Sequence, residues 1–229
     1  MTLAAAWRAH EGSKLYDLVA ATPLIVWYAL CGAQLLPALV AQLDAFDFAA
    51  ETPLYYTGLA SKLASLFFIV MLLALLVTRH PPKAKAPGLL PRVAAIAGTY
   101  LGVAMLWLPP RALPAELHLA SALMILGGTL FALYSVAYLG RSISIMAEAR
   151  RLVTDGPYAR IRHPLYLGEA VALTGLLMEY FSLWAVILFA LQLTYQIQRM
   201  KNEETVLGGM FPAYAGYMAR TRRLIPGIY

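Results

Sequence analysis

Two stretches in the last third of the chain hold residue types that can do chemistry together. The first, Leu139–Glu169, reads LGRSISIMAEARRLVTDGPYARIRHPLYLGE. Gly156-Pro157 forces a turn, and Pro164 suits the first turn of a helix, where its missing N–H is no loss. His163 then lies at a helix N-terminus, where free N–H groups and the positive dipole end attract anionic ligand groups. Tyr166 follows in the first turn, and Gly168 permits close approach of another backbone or a ligand. The second stretch, Gln196–Tyr217, reads QIQRMKNEETVLGGMFPAYAGY. It predicts a helix that runs on until Gly208-Gly209, with Arg199 and Glu203 one turn apart on the same side. Glu204 points about 100° away and is expected to be a solvated helix residue. Phe211, Tyr214 and Tyr217 form an aromatic stripe if Pro212 starts a further short helix.

These stretches need a frame, and composition says which kind. Of 229 residues, 61% are hydrophobic and 13% charged, about half the charge of an ordinary soluble domain. Lipid is the solvent that tolerates so much apolar surface. Six apolar segments are legible: Leu18–Leu43, Leu54–Val77, Val93–Leu108, Leu117–Leu139, Leu165–Met178 and Phe181–Tyr195. A straight crossing takes about 20 residues; the first, second and fourth meet that length. The last two are short and read as a tight helical hairpin. Loop charge alternates between these segments. Asp44, Asp47 and Glu51 follow the first, whereas Arg79, Lys83, Lys85 and Arg92 follow the second. The loop after the third, with Arg111 and Glu116, is nearly neutral. Arg141, Arg150, Arg151, Arg160 and Arg162 follow the fourth, and Arg199, Lys201, Arg220, Arg222 and Arg223 the sixth. The positive-inside rule then predicts six crossings with both termini cytoplasmic. The expected fold is an all-α polytopic transmembrane bundle, with residues 1–139 forming four N-terminal spans and 140–229 a functional core.

The same observations exclude several classes. The net charge of +6 resides in loops, where it sets topology and meets anionic lipid; nucleic-acid binding is not expected. The single Cys31 allows no internal disulfide or cysteine zinc cluster. His10, His80 and His118 share no metal-ligand spacing, so no metal site is expected. Trp7 to Asp17 is polar and no cleavage pattern follows, so the first span is expected to be retained. His80–Pro91, with four prolines, reads as a linker. Gly127 and Gly128, near Ala120 and Ser121, permit close helix contact. Glu169 is expected to face the bundle or a cavity, not lipid, and Lys62 to snorkel.

The order RHP-x-Y-x-G, apolar hairpin, R-x-x-x-E-E, then Phe and paired tyrosines before a basic tail resembles the isoprenylcysteine carboxyl methyltransferases. It equally resembles their relatives, the phospholipid N-methyltransferases. The resemblance covers about the last 90 residues. It implies an integral membrane enzyme using S-adenosyl-L-methionine, with its active site at the cytoplasmic face (of the inner membrane, if the source is bacterial). It places cofactor contacts on Arg150, Arg151, Leu152 and Val153, on Tyr158, on His163, Pro164, Leu165 and Tyr166, and on Glu203. It places Arg199 at the acceptor's carboxylate, with Arg199 and Glu203 as the catalytic pair. Two departures stand out: Ile143 where the family has glutamine, and Arg150 where it has histidine.

The residue types suit that cofactor. Glu203 can pair with its ammonium, Arg or backbone N–H groups with its carboxylate, and tyrosines can cover its ring or sulfonium. Methyl transfer is an in-line displacement that needs alignment and exclusion of water. A carboxylate acceptor needs no base, being ionised at pH 7, and Arg199 would orient it; this is the reading the sequence favours, with an isoprenylcysteine-like substrate. An amine acceptor must lose a proton, with Glu203 or Glu204 as the base. A phospholipid headgroup amine, or a small lipophilic thiol or phenol, is the alternative acceptor. A carrier or assembly protein that keeps the fold without catalysis is the reading from another class. In each case the partners are a lipid-soluble or lipid-modified substrate and membrane lipid.

Overall fold

The computed structural model describes residues 13–46 and 52–225. His10, Trp7, Asp47, Glu51 and Pro226 lie outside them. Among the described residues, seven α-helices carry the fold: α1 Lys14–Asp44, α2 Pro53–Thr78, α3 Leu90–Tyr100, α4 Ala115–Leu139, α5 Pro164–Glu179, α6 Leu183–Met210 and α7 Tyr214–Arg220. Their starts follow local chemistry. Ser13 accepts from the Tyr16 N–H at 3.1 Å, and Ser182 from Ala185 N–H at 3.2 Å, each relieving a donor with no partner in the helix. Pro53 and Pro164 occupy first-turn positions. Pro23 and Pro37 lie within α1, which continues through both.

Three of these helices are long and apolar enough to cross a membrane: α1, α2, and α4 with its short 3-10 extension to Ser142. The protein is an integral membrane protein of helical fold. The other expected spans take different forms. The third is broken: α3 ends at Tyr100 and a 3-10 turn runs over Gly102–Trp107. Gln192 from α6 caps the break, accepting from Gly102 N–H at 3.0 Å and donating to the Gly98 carbonyl. At 1.5 Å per residue, α5 is about 24 Å long and α6 about 42 Å, and only residues 180–182 join them. The helix α6 thus carries straight on from the apolar zone into the polar 196–210 region.

The seam that positions the site runs between α4 and α5. A Cβ on Gly128 would lie 2.5 Å from Ala172 N, and one on Gly168 2.7 Å from Ala132 N. One on Gly175 would meet the Ser121 carbonyl at 2.7 Å, and the Ser121 hydroxyl donates to the Gly175 carbonyl at 2.9 Å. Backbone contact of this kind is available only to residues without a side chain. Gly127 faces open space instead.

The His80–Pro91 segment is not wholly irregular, because β1 (Ala84–Lys85) pairs antiparallel with β2 (Glu148–Ala149). This small ladder straps the loop after α2 onto the loop after α4. A buried charge cluster reinforces it. Asp17 of α1 accepts from Arg79 Nε at 2.9 Å and from Arg150 Nη2 at 2.7 Å; Arg150 also bonds Glu148 at 2.6 Å and the His80 carbonyl. Lys14 donates to the Arg79 carbonyl. Three chain segments far apart in sequence are thereby held at one level. The Lys62 ammonium donates to Gln42 across the α1–α2 pair.

Candidate functional site

The loop between α4 and α5 is built on a period of two. Ile143, Ile145, Ala147 and Ala149 are buried in the bundle, while Ser142, Ser144, Met146 and Glu148 face the other way and line a cleft. Extended backbone alternates its side chains in this manner. The loop then passes through Arg151, Leu152 and Val153 and a 3-10 turn, Gly156–Ala159, where Gly156 has φ +58° with a ring edge of Tyr138 against it. It reaches His163, the residue before α5. The tail closes this end of the site: Arg162 and His163 N–H groups donate to the Arg222 and Arg223 carbonyls at 2.7 and 3.0 Å.

The cleft is walled by Arg150, Arg151, Leu152, Val153, Tyr158, His163, Leu165, Tyr166 and Glu203. It encloses about 80 Å³, below the roughly 300–1,000 Å³ of small-molecule sites, so a ligand of that size has to part its walls. Two expected residues stand apart from its surface. Pro164 is buried at the start of α5. Arg199 is 3% exposed and lies behind Tyr166, with its guanidinium carbon 4.7 Å from the ring centre and Nη1 3.2 Å from the Thr99 hydroxyl. The Arg150 guanidinium is committed to Asp17, Glu148 and His80. Ile143 is 2% exposed within the apolar core, turned away from the site; Ser142 and Ser144 supply the polar groups there.

The two adjacent glutamates meet different surroundings, and Glu204 departs from the expectation of a solvated residue. Glu204 is buried, not solvated. It accepts from Arg162 Nε at 2.8 Å and from Arg223 Nε and Nη2 at 3.0 and 2.8 Å, and stands 3.2 Å from His163 Nε2. Burial alone would raise its carboxyl, yet the hydrogen bonds from His163, Arg223 and Arg162 outweigh that and hold it far below the usual glutamate range. A group so depressed contributes stability that is full above its unfolded value near 4.5 and is lost as pH falls through and below it. Glu204→Gln is therefore expected to cost about 3 kcal/mol at pH 7, the low end for breaking a buried charge cluster. The gap from wild type in unfolding midpoint should hold down to about pH 5 and narrow as pH falls below the unfolded value of 4.5; a gap that stays constant in acid would contradict the assignment.

Glu203 is the acid that faces the cleft. Its Oε1 accepts from the Tyr166 hydroxyl and lies 3.4 Å from Arg199 Nε. Its Oε2 lies 3.9 Å from His163 Nδ1 and has no hydrogen bond from any described residue. The His163 and Tyr166 rings stack at 5.5 Å and 8°, so the imidazole is fixed between Glu204 behind and the cleft in front. Tyr217 donates to the Tyr158 carbonyl at 2.8 Å, and burial, only partly offset by Arg162 and Arg220, pushes its phenol up to about 12. Burial, with the Glu203 charge added, holds Tyr158 well above its ordinary value. Tyr214 is 2% exposed and lines the cleft, and its hydroxyl has no partner among the described residues.

Met146, Glu148 and Leu207 are among the wall residues that sequence reasoning does not assign to the site. The first two are legible in the alternation of 142–149 once that stretch is read as extended. Leu207 is one turn beyond Glu203 and shares its face.

Residues 117–213, from α4 through the end of α6 to Ala213, match the family model described as phospholipid methyltransferase. Over that stretch the chain is similar to the phospholipid methyltransferases. The helical, membrane-associated methyltransferase fold is thereby supported for the part that holds the cleft. Two curated bacterial relatives are similar over a shorter stretch. One is the nickel-cobalt-cadmium resistance protein NccN of Alcaligenes xylosoxydans xylosoxydans, 35% identical over 81 residues, which are 34% of this chain and 38% of that protein. The other is the cobalt-zinc-cadmium resistance protein CzcN of Cupriavidus metallidurans, 36% identical over 77 residues, 33% and 35% of the two chains. The chain thus spans little more than a third of the length of these relatives. Among the described residues, no group of three His, Cys, Asp or Glu is placed to hold a metal ion.

Proposed function

We propose that the chain is an S-adenosylmethionine-dependent methyltransferase of the membrane, acting on a lipid that bears an amine headgroup. The observation that carries the cofactor is the cleft itself, which joins a carboxylate with an unclaimed oxygen (Glu203 Oε2) to an orphaned buried hydroxyl (Tyr214). An ammonium suits the first, and a ribose, adenine or carboxylate acceptor atom suits the second. Arg151 and the N–H groups at the start of α5 suit the carboxylate end, and Tyr158 and Leu152 offer apolar cover for a ring. When bound, the cofactor supplies an electrophilic methyl group on a sulfonium. The protein's own part is to fix its charged end on Glu203, hold Tyr166 at its side through the Glu203–Arg199 contact, and exclude water with Leu165, Tyr158 and the aromatic pair Tyr214–Tyr217.

The acceptor is read from what lies behind Tyr166. A carboxylate acceptor requires an Arg199 free to meet it. Here Arg199 is paired with Glu203, lies over Tyr166 and touches Thr99, while a second acid, Glu169, faces the same region from α5. One cation against two carboxylates favours a basic or neutral acceptor over an anionic one. The similarity to phospholipid methyltransferases points the same way. The isoprenylcysteine-like carboxyl acceptor remains the second reading, on the strength of Arg199 alone. For placement, we propose six crossings with both termini cytoplasmic, residues 140–229 as the catalytic core, and the cleft at the cytoplasmic face. Alternating loop charge supports this, with α5 crossing a thinned or protein-lined zone.

The test is chemical. Purified chain in nanodiscs of phosphatidylethanolamine and phosphatidylglycerol is incubated with methyl-labelled cofactor, and the lipid is extracted. A base-stable label on the headgroup is expected. A base-labile label would replace the amine with a carboxyl acceptor. Absence of both cofactor binding and transfer would favour the carrier reading.

A further inference from the structure

A second cavity lies deeper in the bundle, of about 340 Å³. Its wall comes from α1, α2, α3 with the following 3-10 turn, α4 and α5, and it is apolar and aromatic, including Trp27, Tyr28, Phe68 and Tyr100. One carboxyl side chain enters it, Glu169. A carboxylate in this setting is costly and marks a ligand or proton path. Gln196 donates to Glu169 Oε2 at 2.9 Å; Oε1 has no described partner. Glu169 follows Tyr166 by three residues on α5, so the two share a face, Tyr166 lining the cleft and Glu169 the chamber. The partition between the cavities is thus a single layer, Tyr166 with Arg199 behind it.

A second groove, of about 400 Å³, is lined by α3, the 3-10 turn and Trp27 of α1. The groove and the chamber share Trp27, Tyr100 and Val103. Val93, Ile96, Leu106 and Trp107 beside it are exposed, as lipid-facing residues of a span would be. An acyl chain lying in this groove would bring its polar end into the chamber beneath Tyr166.

We infer that Glu169 is the carboxylate that receives the acceptor's amine and takes its proton, and that the groove along α3 holds the acceptor's acyl chain. This rests on the amine-lipid reading above. The acceptor enters as R–NH3+, gives one proton to the Glu169 carboxylate, and its nitrogen reaches the cofactor's methyl group past the edge of Tyr166. The freed nitrogen lone pair forms the N–CH3 bond while the S–CH3 bond breaks, its electron pair remaining on sulfur. The products are R–NH2–CH3+, a neutral thioether and protonated Glu169, which returns its proton to solvent. Glu204 is disqualified as base by its two arginine partners, and Glu203 by its place at the cofactor end. The groups facing Glu169 are Arg199, Glu203 and Gln196 from α6, Tyr166 from α5, Tyr28 and Cys31 from α1, Tyr100 from α3, and Tyr158 from the 3-10 turn before α5. α2 and α4 contribute Ser65 and Thr129 but no charge.

Glu169→Gln in the same nanodiscs is expected to retain wild-type adenosylmethionine affinity by calorimetry, which also reports that it is folded. Headgroup methylation at pH 7 should fall about 100-fold, as loss of a general base does. The deficit should shrink as pH rises toward 9.5, where solvent deprotonates the amine, and Glu169→Asp should keep part of the rate. A pH-independent deficit, parallel loss of cofactor affinity, or a rate within threefold of wild type would overturn the role of Glu169 while leaving the methyltransferase reading intact. A base-labile product of the wild type, or no headgroup methylation by it, would overturn the inference together with the amine reading.

Discussion

Glu203→Gln is expected to weaken adenosylmethionine binding by about 10- to 100-fold, with Glu203→Asp between the two. The side chain has two oxygens with separate duties. Oε1 is held by Tyr166 and faces Arg199; Oε2 has only the cleft and the distant His163 Nδ1 before it. A hydrogen bond to a charged partner contributes about 1.5–3 kcal/mol, which is the stated factor in affinity. Glutamine keeps the shape and the Tyr166 contact but removes the charge, so the loss reads the ammonium pairing and not a change of packing. Arg199 retains Glu169 as a counter-charge in the variant, which keeps the fold intact. Calorimetry in detergent gives the affinity. Equal affinity in the Glu203→Gln variant and the wild-type protein would remove Glu203 from the cofactor end.

The second large effect is on the seam beneath the site. Gly128→Ala and Gly168→Ala each place a methyl against backbone atoms of the opposite helix, at 2.5 Å from Ala172 N and 2.7 Å from Ala132 N. Backbone cannot rotate away as a side chain can, so α4 and α5 must separate. The expected cost is about 3 kcal/mol, at the upper end for overpacking. The displacement would also carry the first turn of α5, and with it His163 and Tyr166, away from Glu203. Cofactor affinity should fall with stability in these two variants. Gly127→Ala, one residue away, meets nothing within 4 Å and should instead gain about 0.5–1 kcal/mol from helix propensity. Thermal midpoints of the three variants decide the matter. No drop for Gly128→Ala would mean that the seam is not the constraint on the site.

Much of the site was legible because its residues depend on local rules. Pro164 marks a helix start wherever it lies, so His163 and Tyr166 could be placed at its mouth. Arg199 and Glu203 share a face by helical period alone. What was hidden depends on partners distant in sequence. Arg150 matches a cofactor-contact position, yet its charge is consumed by Asp17, 133 residues earlier. Glu204 looks solvated from its own helix; the tail that buries it arrives with Arg223. The register of 142–149 was readable as alternation, but a loop in a helical protein gives no reason to look for period two. The break in α3 was beyond reach, since the Gln192 that satisfies it lies on another helix.

The central claim is that the turn at His163 and the Glu203 face of α6 enclose one cationic nucleoside. Titrating the full chain in nanodiscs with adenosylmethionine tests it most directly, using the demethylated thioether product as competitor and Glu203→Gln alongside. One-to-one saturable binding, displaced by the product and sharply weakened in the variant, is the result this arrangement requires. Absence of binding by the wild type, or binding indifferent to Glu203, would contradict it.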